Sequence, residues 1–178
     1  MFDKEYAFRG KHCDMVIKLT GEFSSSSEDG SSQKKHSLFK TNFDVYLLAP
    51  IIGFLYRRKA YVDTTPNGGT TKIFADIQMK NSDDLNFNYR LIMLLDKENE
   101  SDSEKRIEKA FRGIKNENDE LLYNQYVLGG VEVLYENIIE KSSDYIVNLY
   151  DFLDDFNSRY NEDLDLEKIL AMARKTSF

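Results

Sequence analysis

The chain has 178 residues, of which 41% are hydrophobic and 13% aromatic, so it is long and apolar enough to bury the core of one domain. A formal net charge of −7 argues against binding nucleic acid over the whole surface, while leaving room for a local basic patch. Because Cys13 is the only cysteine, neither an intramolecular disulfide nor a four-cysteine zinc site can form.

Two features bear on location. The first ten residues mix charged and aromatic types and show no apolar core of a signal peptide. The longest apolar run, 45–56, is shorter than the about 20 residues that a membrane-spanning helix needs. We therefore expect a cytoplasmic protein without a membrane partner.

The N-terminal third is predicted to have three parts. Residues 1–21 carry Tyr6, Met15, Val16 and Leu19 among charged residues, which favours an N-terminal helix. The Ser-rich stretch 22–37 is too polar to offset its ordering entropy, so it is predicted to be a flexible linker. A helical domain is predicted over 38–178.

This domain is predicted to begin with its central helix. Thr41 and Asp44 have the spacing of a capping box, with Asp in place of Glu. The segment 45–55 is apolar on every side, which is typical of a fully buried helix. Pro50 is expected to kink it or to start a new turn, since proline lacks an N–H and crowds the preceding turn.

Three further segments precede residue 116. A helix is predicted from about 71 to 80, with a short β-hairpin of strands 60–63 and 72–75 as the alternative. An apolar helix is predicted over 84–97. In the next helix Ser101 and Glu104 are predicted to form a capping box, and Ile107, Ala110, Phe111 and Ile114 to line one face.

The C-terminal part is predicted to contain helices over 119–140, 143–160 and 164–175. Gly129 and Gly130 lie inside the first of them and cost about 1 kcal/mol each relative to alanine. They need a reason, either a break between two helices or close backbone packing. The predicted fold class is therefore all-α, a compact bundle of about six or seven helices around a central apolar helix.

Candidate catalytic groups are few. His12 and Cys13 are neighbours on a predicted helix, so their side chains diverge by about 100° and are not expected to form a thiolate–imidazole pair. Asp151 and Asp155 are one turn apart and could bind a metal, but a solvated helix face is the more ordinary interpretation. We expect a non-enzymatic protein without a cofactor, and keep a metal-dependent hydrolase as the last alternative.

Basic residues cluster in two places and suggest the leading hypothesis. A cationic helix face without aromatic residues would contact DNA phosphates, or an acidic partner, without distinguishing bases. Simple solubility is the plainer interpretation of such a face. The candidate residues are Arg57, Arg58, Lys59, Lys105, Arg106, Lys109 and Arg112.

An acidic helix face supports a second hypothesis. Asp144, Asp151 and Asp155 are predicted to lie together, opposite the apolar residues Tyr145, Leu149, Phe152, Leu153, Phe156 and Tyr160. Such a face could dock on a basic protein, which would make the chain a protein-interaction module.

A series of short motifs suggests a biological setting. The order is Phe39 and Asp44, then 48–54 (LAPIIGF), then Arg57-Arg58-Lys59, 73–75 (IFA) and 126–134 (YVLGGVEVL). This order resembles small accessory proteins associated with bacterial DNA-phosphorothioation (Dnd-type) defence islands. The resemblance spans roughly 38–140 and departs from the pattern at Pro50 and Leu128. It implies a setting in DNA modification or phage defence, with another protein of such a system as a partner, and supplies no catalytic residues.

Overall fold

The computed structural model describes residues 1–24, 35–66, 68–112 and 116–161. The helices in this part of the chain are α1 Lys11–Leu19, α2 Asn42–Leu55, α3 Ala75–Lys80, α4 Ser82–Leu95, α5 Ser103–Phe111, α6 Glu117–Leu134 and α7 Tyr145–Asn161, with a π-helical segment at Tyr135–Glu140. The strands are β1 Tyr6–Arg9, β2 Glu22–Ser24, β3 Lys35–Ser37 and β4 Thr70–Ile73. The predicted fold class, a helical bundle with a short β element, is confirmed.

The first helix is shorter than the sequence predicted, because a strand precedes it. β1 pairs antiparallel with β4, with Tyr6 opposite Ile73 and Arg9 opposite Thr70. Phe8 and Ile73 are fully buried, which shows that this two-stranded sheet packs on the core. The preferred helix from about 71 to 80 is therefore shorter than predicted and begins at Ala75, because β4 occupies its first residues. The alternative strand near residue 72 exists, but it pairs with β1 and not with a strand at 60–63.

The predicted linker, 22–37, begins and ends in paired strands. β2 pairs antiparallel with β3, with Glu22 opposite Ser37. The Ser-rich middle of this stretch, 25–34, lies outside the described residues, as does the helix predicted over 164–175.

α2 is the central helix that its apolar sequence predicted. The Thr41–Asp44 capping box is confirmed: the Asp44 N–H donates to the Thr41 hydroxyl at 3.2 Å, and the Thr41 N–H donates to Asp44 Oδ2 at 2.9 Å. The helix continues through Pro50 to Leu55. Its buried residues include Val45, Tyr46, Ala49, Pro50, Ile52 and Gly53.

Close packing against α2 explains why α6 contains two adjacent glycines. A Cβ on Gly130 would collide with the Ala49 carbonyl oxygen, and a Cβ on Gly53 would collide with that of Tyr126. Gly129 lies equally close to the Arg58 carbonyl, just beyond the end of α2. α6 is continuous through this region, so the glycine pair serves backbone contact and does not mark a break.

Gly130→Ala is expected to destabilise the fold by about 2 kcal/mol or more, because an overpacked contact outweighs the gain in helix propensity of about 1 kcal/mol. The clashing atoms are backbone atoms of a buried helix and have nowhere to move. Chemical denaturation measures the change. Gly69→Ala is the milder control, since its Cβ would make a tight contact of 3.2 Å with a side-chain atom, the Cys13 sulfur, and would not overlap a backbone carbonyl. Equal stability of the two variants would contradict the packing argument.

Candidate functional site

The first predicted basic cluster follows α2 and is held by acidic and aromatic neighbours. Arg57 forms an ion pair with Glu98 at 2.8 Å, with both side chains exposed. Arg58 binds Glu132 through Nε at 3.1 Å and Glu136 through its terminal nitrogen at 2.9 Å. The Lys59 ammonium lies 5.0 Å from the centre of the Tyr126 ring.

Most cations of the second predicted basic cluster, on α5, are also bound by groups of the same chain. Arg106 is 9% exposed and donates to the carbonyl oxygens of Leu94, Glu100 and Ser101. The Arg106 side chain therefore faces the core, whereas the sequence analysis predicted that it would be available to a partner. Lys105 is exposed and has no side-chain partner among the described residues.

The remaining two cations of α5 have carboxylate partners. Lys109 lies 3.1 Å from Asp119, and Arg112 lies 2.9 Å from Glu108. Carboxylates within ion-pair distance cancel much of the field that would attract phosphates. The structure does not bring the seven predicted cations together into one open basic surface.

A buried carboxylate organises the end of the molecule near Arg58. Glu132 on α6 accepts from Lys11 at 2.7 Å, from His12 at 3.2 Å and from Arg58 at 3.1 Å. Burial raises the pKa of the Glu132 carboxyl, but the hydrogen bonds from Lys11 and Arg58 outweigh it and hold the pKa below its ordinary value of 4.5. This glutamate links α1, α6 and the turn after α2.

The turn that delivers Arg58 is a Schellman motif. The Arg58 N–H donates to the Gly53 carbonyl at 2.8 Å, and the Arg57 N–H donates to the Phe54 carbonyl at 3.1 Å. Arg57 has a φ of 52°, in the left-handed region that this motif requires at that position. The motif reverses the chain at the end of α2 and directs Arg58 towards α6.

His12 is fully buried at the centre of this cluster. Burial lowers the pKa of its imidazole below the ordinary 6.5, more than the neighbouring Glu132 raises it. The ring is therefore neutral near pH 7, and its Nε2–H donates to Glu132 while Nδ1 has no partner among the described residues. A ring without solvent contact cannot exchange protons with a substrate from outside.

Cys13, the neighbour of His12, is a buried structural residue. Burial and, to a lesser degree, Asp14 raise the pKa of its thiol. A thiol with a raised pKa and no access is a poor nucleophile. Burial of both residues therefore supports the expectation that His12 and Cys13 do not act as a thiolate–imidazole pair.

Asp63 is a residue that sequence reasoning missed. Its Oδ2 accepts from the Lys11 N–H at 2.8 Å, at the start of α1, and its Oδ1 accepts from the Thr65 N–H at 2.9 Å. Hydrogen bonds from Thr65 and Lys11 lower the pKa of this carboxyl to about 2. Because 52 residues separate Asp63 from Lys11, no local sequence signal could have revealed this cap.

The predicted acidic face lies on and just before α7. Asp144 Oδ1 accepts from the N–H groups of Ile146 and Val147, each at 3.1 Å, and so caps the helix. Asp151 pairs with Lys141 at 2.7 Å, and Asp155 pairs with Arg159 at 2.8 Å. These ion pairs are about half exposed, and surface pairs of this kind contribute about 0–1 kcal/mol.

α7 is fixed to the rest of the fold by one side. Phe152 is buried and stacks on Tyr56, with ring centres 5.8 Å apart. The buried Asn148 side chain donates to the carbonyl oxygens of Ile138 and Ser142, each at 3.0 Å. These contacts set which face of α7 points outward.

Part of the exposed surface of α7 is apolar. Ile146, Tyr150 and Leu153 follow one another at helical spacing and are 50%, 65% and 49% exposed. The sequence prediction placed Leu153 inside, but Phe152 and Leu149 take the inner positions. The sequence did contain a pattern that indicates this exposed row, a second apolar stripe with helical spacing beside the stripe that packs on the core. We name Ile146, Tyr150 and Leu153 the outer stripe.

Other kinds of site receive no support from the described part of the chain. Within it, no group of three His, Cys, Asp or Glu residues could hold a metal ion. No described helix is both long and apolar enough to cross a bilayer. The acids of α7 therefore do not converge on one point, as a metal-dependent hydrolase would require.

Comparison with known proteins adds no constraint, because no family model, no curated protein and no solved structure matches the chain.

Replacing Arg58 tests the buried cluster. Arg58→Met should destabilise the fold by about 2 kcal/mol, because it deprives a buried carboxylate of one of its cations while Lys11 remains. The control is its neighbour: Arg57→Met removes an exposed pair and should cost about 1 kcal/mol or less. Urea unfolding at pH 7 measures both. Equal losses would show that Glu132 does not depend on Arg58.

The neutral state of His12 predicts a pH dependence. Below pH 6.5 the unfolded chain gains a proton on this residue that the folded chain does not take up, so stability falls as the pH is lowered. The slope is at most about 1.4 kcal/mol per pH unit. The unfolding free energy of the wild type should fall with this slope from about pH 7.5 to about pH 5.5, a range on either side of the ordinary histidine pKa of 6.5. In His12→Gln the slope should be absent. His36→Gln is the control, and an unchanged slope in His12→Gln would refute the assignment.

Proposed function

We propose that the protein is a protein-interaction module that docks through α7 on a basic, amphipathic helix of a partner protein. The observation that carries the proposal is the outer stripe, three large apolar side chains exposed in a row on a helix whose opposite side is anchored. Exposed apolar rows of this kind are typical of surfaces that a partner covers.

The spacing of the stripe fits a helix as its partner. Residues at i, i+4 and i+7 form a line along one helix face, the geometry with which a second helix packs. Tyr150 stands in the middle of the line and is the most exposed of the three. Its large ring and its hydroxyl, which can stay in water, suit the centre of such a contact.

The charges beside the stripe favour a basic partner. On the helix, Asp154 follows the stripe at one edge, and Asp151 and Asp155 lie further round in the same direction. Asp154 has no hydrogen bond or ion pair with a described residue. A partner helix with Lys or Arg along one side of an apolar face would complement both the stripe and this edge.

The ion pairs that now hold Asp151 and Asp155 do not prevent docking. Each pair is surface-exposed, so exchanging Lys141 or Arg159 for a cation of the partner costs about 1 kcal/mol or less. The acidic face predicted from the sequence thus acts as a border that selects the charge of the partner, while the apolar stripe supplies the binding energy.

The leading hypothesis from the sequence, contact with DNA phosphates, has less structural support. Of its candidate residues Arg106 is buried, and Arg58 and Lys109 bind the buried acids Glu132 and Asp119. The setting that the family resemblance implies, a DNA-modification or phage-defence system, stays a prediction and is compatible with an interaction module that recruits another protein of such a system.

A peptide probe tests the proposal. We expect the purified full chain to bind a synthetic helical peptide with leucine at i, i+4 and i+7 flanked by lysine, and Tyr150→Asp to weaken this binding at least about tenfold through burial of a charge in the contact. Fluorescence anisotropy measures the dissociation constants. The same peptide with glutamate in place of lysine should not bind.

Phe74→Asp is the matched control, since Phe74 is a comparably exposed aromatic side chain that lies between β4 and α3. Its affinity for the peptide should equal that of the wild type. The proposal is overturned if Tyr150→Asp binds the peptide as well as the wild type does. It is also overturned if the chain binds duplex DNA in a salt-dependent manner and ignores the peptide, which would support the DNA hypothesis instead.

A further inference from the structure

A second exposed surface, distinct from α7, lies on α4. A groove of about 440 Å³ runs along the outward side of this helix next to the end of α5. Phe87 is 64% exposed in the middle of it, and Phe111 is 59% exposed at its α5 side. The lining residues of the groove are Asp83, Asn86, Phe87, Arg90, Leu91, Leu94 and Phe111.

The groove contains one acidic and one basic side chain, and their placement is informative. Asp83 and Arg90 are both exposed, and neither has a side-chain hydrogen bond or ion pair with a described residue. They lie seven residues apart on the same face of α4, which separates them by about 10 Å along the helix axis. At that distance they cannot pair with each other within one chain.

We propose that α4 packs antiparallel on α4 of a second copy of this chain, with the twofold axis passing between Asn86 and Phe87. Asp83 and Arg90 are equidistant from that point. An antiparallel copy therefore places each Asp83 beside Arg90 of the other copy, and the twofold symmetry makes the pair twice. This is the isologous arrangement of a C2 dimer, in which one patch complements itself.

The same arrangement places apolar surface at the centre and charge at the ends. Phe87 lies next to the axis and meets Asn86 and Phe87 of the copy, while Leu91 and Leu94 extend the contact along the groove. Large aromatic side chains at the centre of an interface, surrounded by polar pairs, are typical of stable contacts. A purely acidic or purely basic partner helix would leave either Asp83 or Arg90 facing a like charge or no charge.

Sedimentation velocity on the full chain over a range of concentrations tests the dimer. The wild type should shift with concentration from the mass of one chain, 20.8 kDa, to twice that mass. Asp83→Arg alone and Arg90→Asp alone should each raise the dissociation constant at least about tenfold, since either change creates two like-charge contacts. The double variant Asp83→Arg/Arg90→Asp restores both pairs and should dimerise like the wild type.

Lys40→Asp is the control for Arg90→Asp, because it makes the same change in net charge at an exposed site elsewhere and should leave dimerisation unchanged. Phe87→Cys provides a second measurement, in which mild oxidation should give a covalent dimer that Lys40→Cys does not give. A chain that stays monomeric throughout overturns the proposal. So does a dimer that neither single variant weakens, or a double variant that fails to recover.

Discussion

The contact between the backbones of α2 and α6 is the constraint on which the rest of the structure depends. Gly53 on one helix and Gly130 on the other remove the side chains that would keep the two backbones apart. Two helices this close share one apolar layer, with Ala49, Val127 and Val131 fully or almost fully buried. The other helices pack around this pair, so a change in its separation would move the surfaces of all of them.

The same contact explains the polar cluster. Because Gly129 admits the Arg58 carbonyl, the turn that ends α2 can lie directly on α6. The Schellman motif then aims Arg58 at Glu132, and Lys11 and His12 reach that carboxylate from α1. A buried carboxylate needs such partners, since leaving it unpaired would cost several kcal/mol. The cluster is thus a structural joint between three elements rather than an open binding site.

Sequence patterns predicted those features that depend on neighbours along the chain. The continuous apolar segment 45–55 predicted α2, the period of apolar residues predicted α7, and the Thr41–Asp44 capping box predicted where α2 begins. The pairing of β1 with β4 was not predictable in this way, because some 60 residues separate the two strands and each is too short to give a clear pattern. The predicted Ser101 cap of α5 was wrong: Asp102, the next residue, is the N-cap and accepts from the N–H groups of Glu104 and Lys105. Serine and aspartate are both good capping residues, so the sequence did not distinguish them.

Charge was the less reliable guide to the surface. The sequence suggested that cations such as Arg58 and Lys109 face a partner, yet each binds an acid within the fold, and Arg106 binds carbonyl groups. The sequence does not show whether a cation will have an acidic partner within the fold. An exposed apolar side chain in the structure, by contrast, has no favourable interaction with water that would replace burial. The outer stripe of α7 therefore supports the proposed interaction more strongly than the basic clusters support DNA contact. Under that proposal, the acids beside the stripe select the charge of the partner.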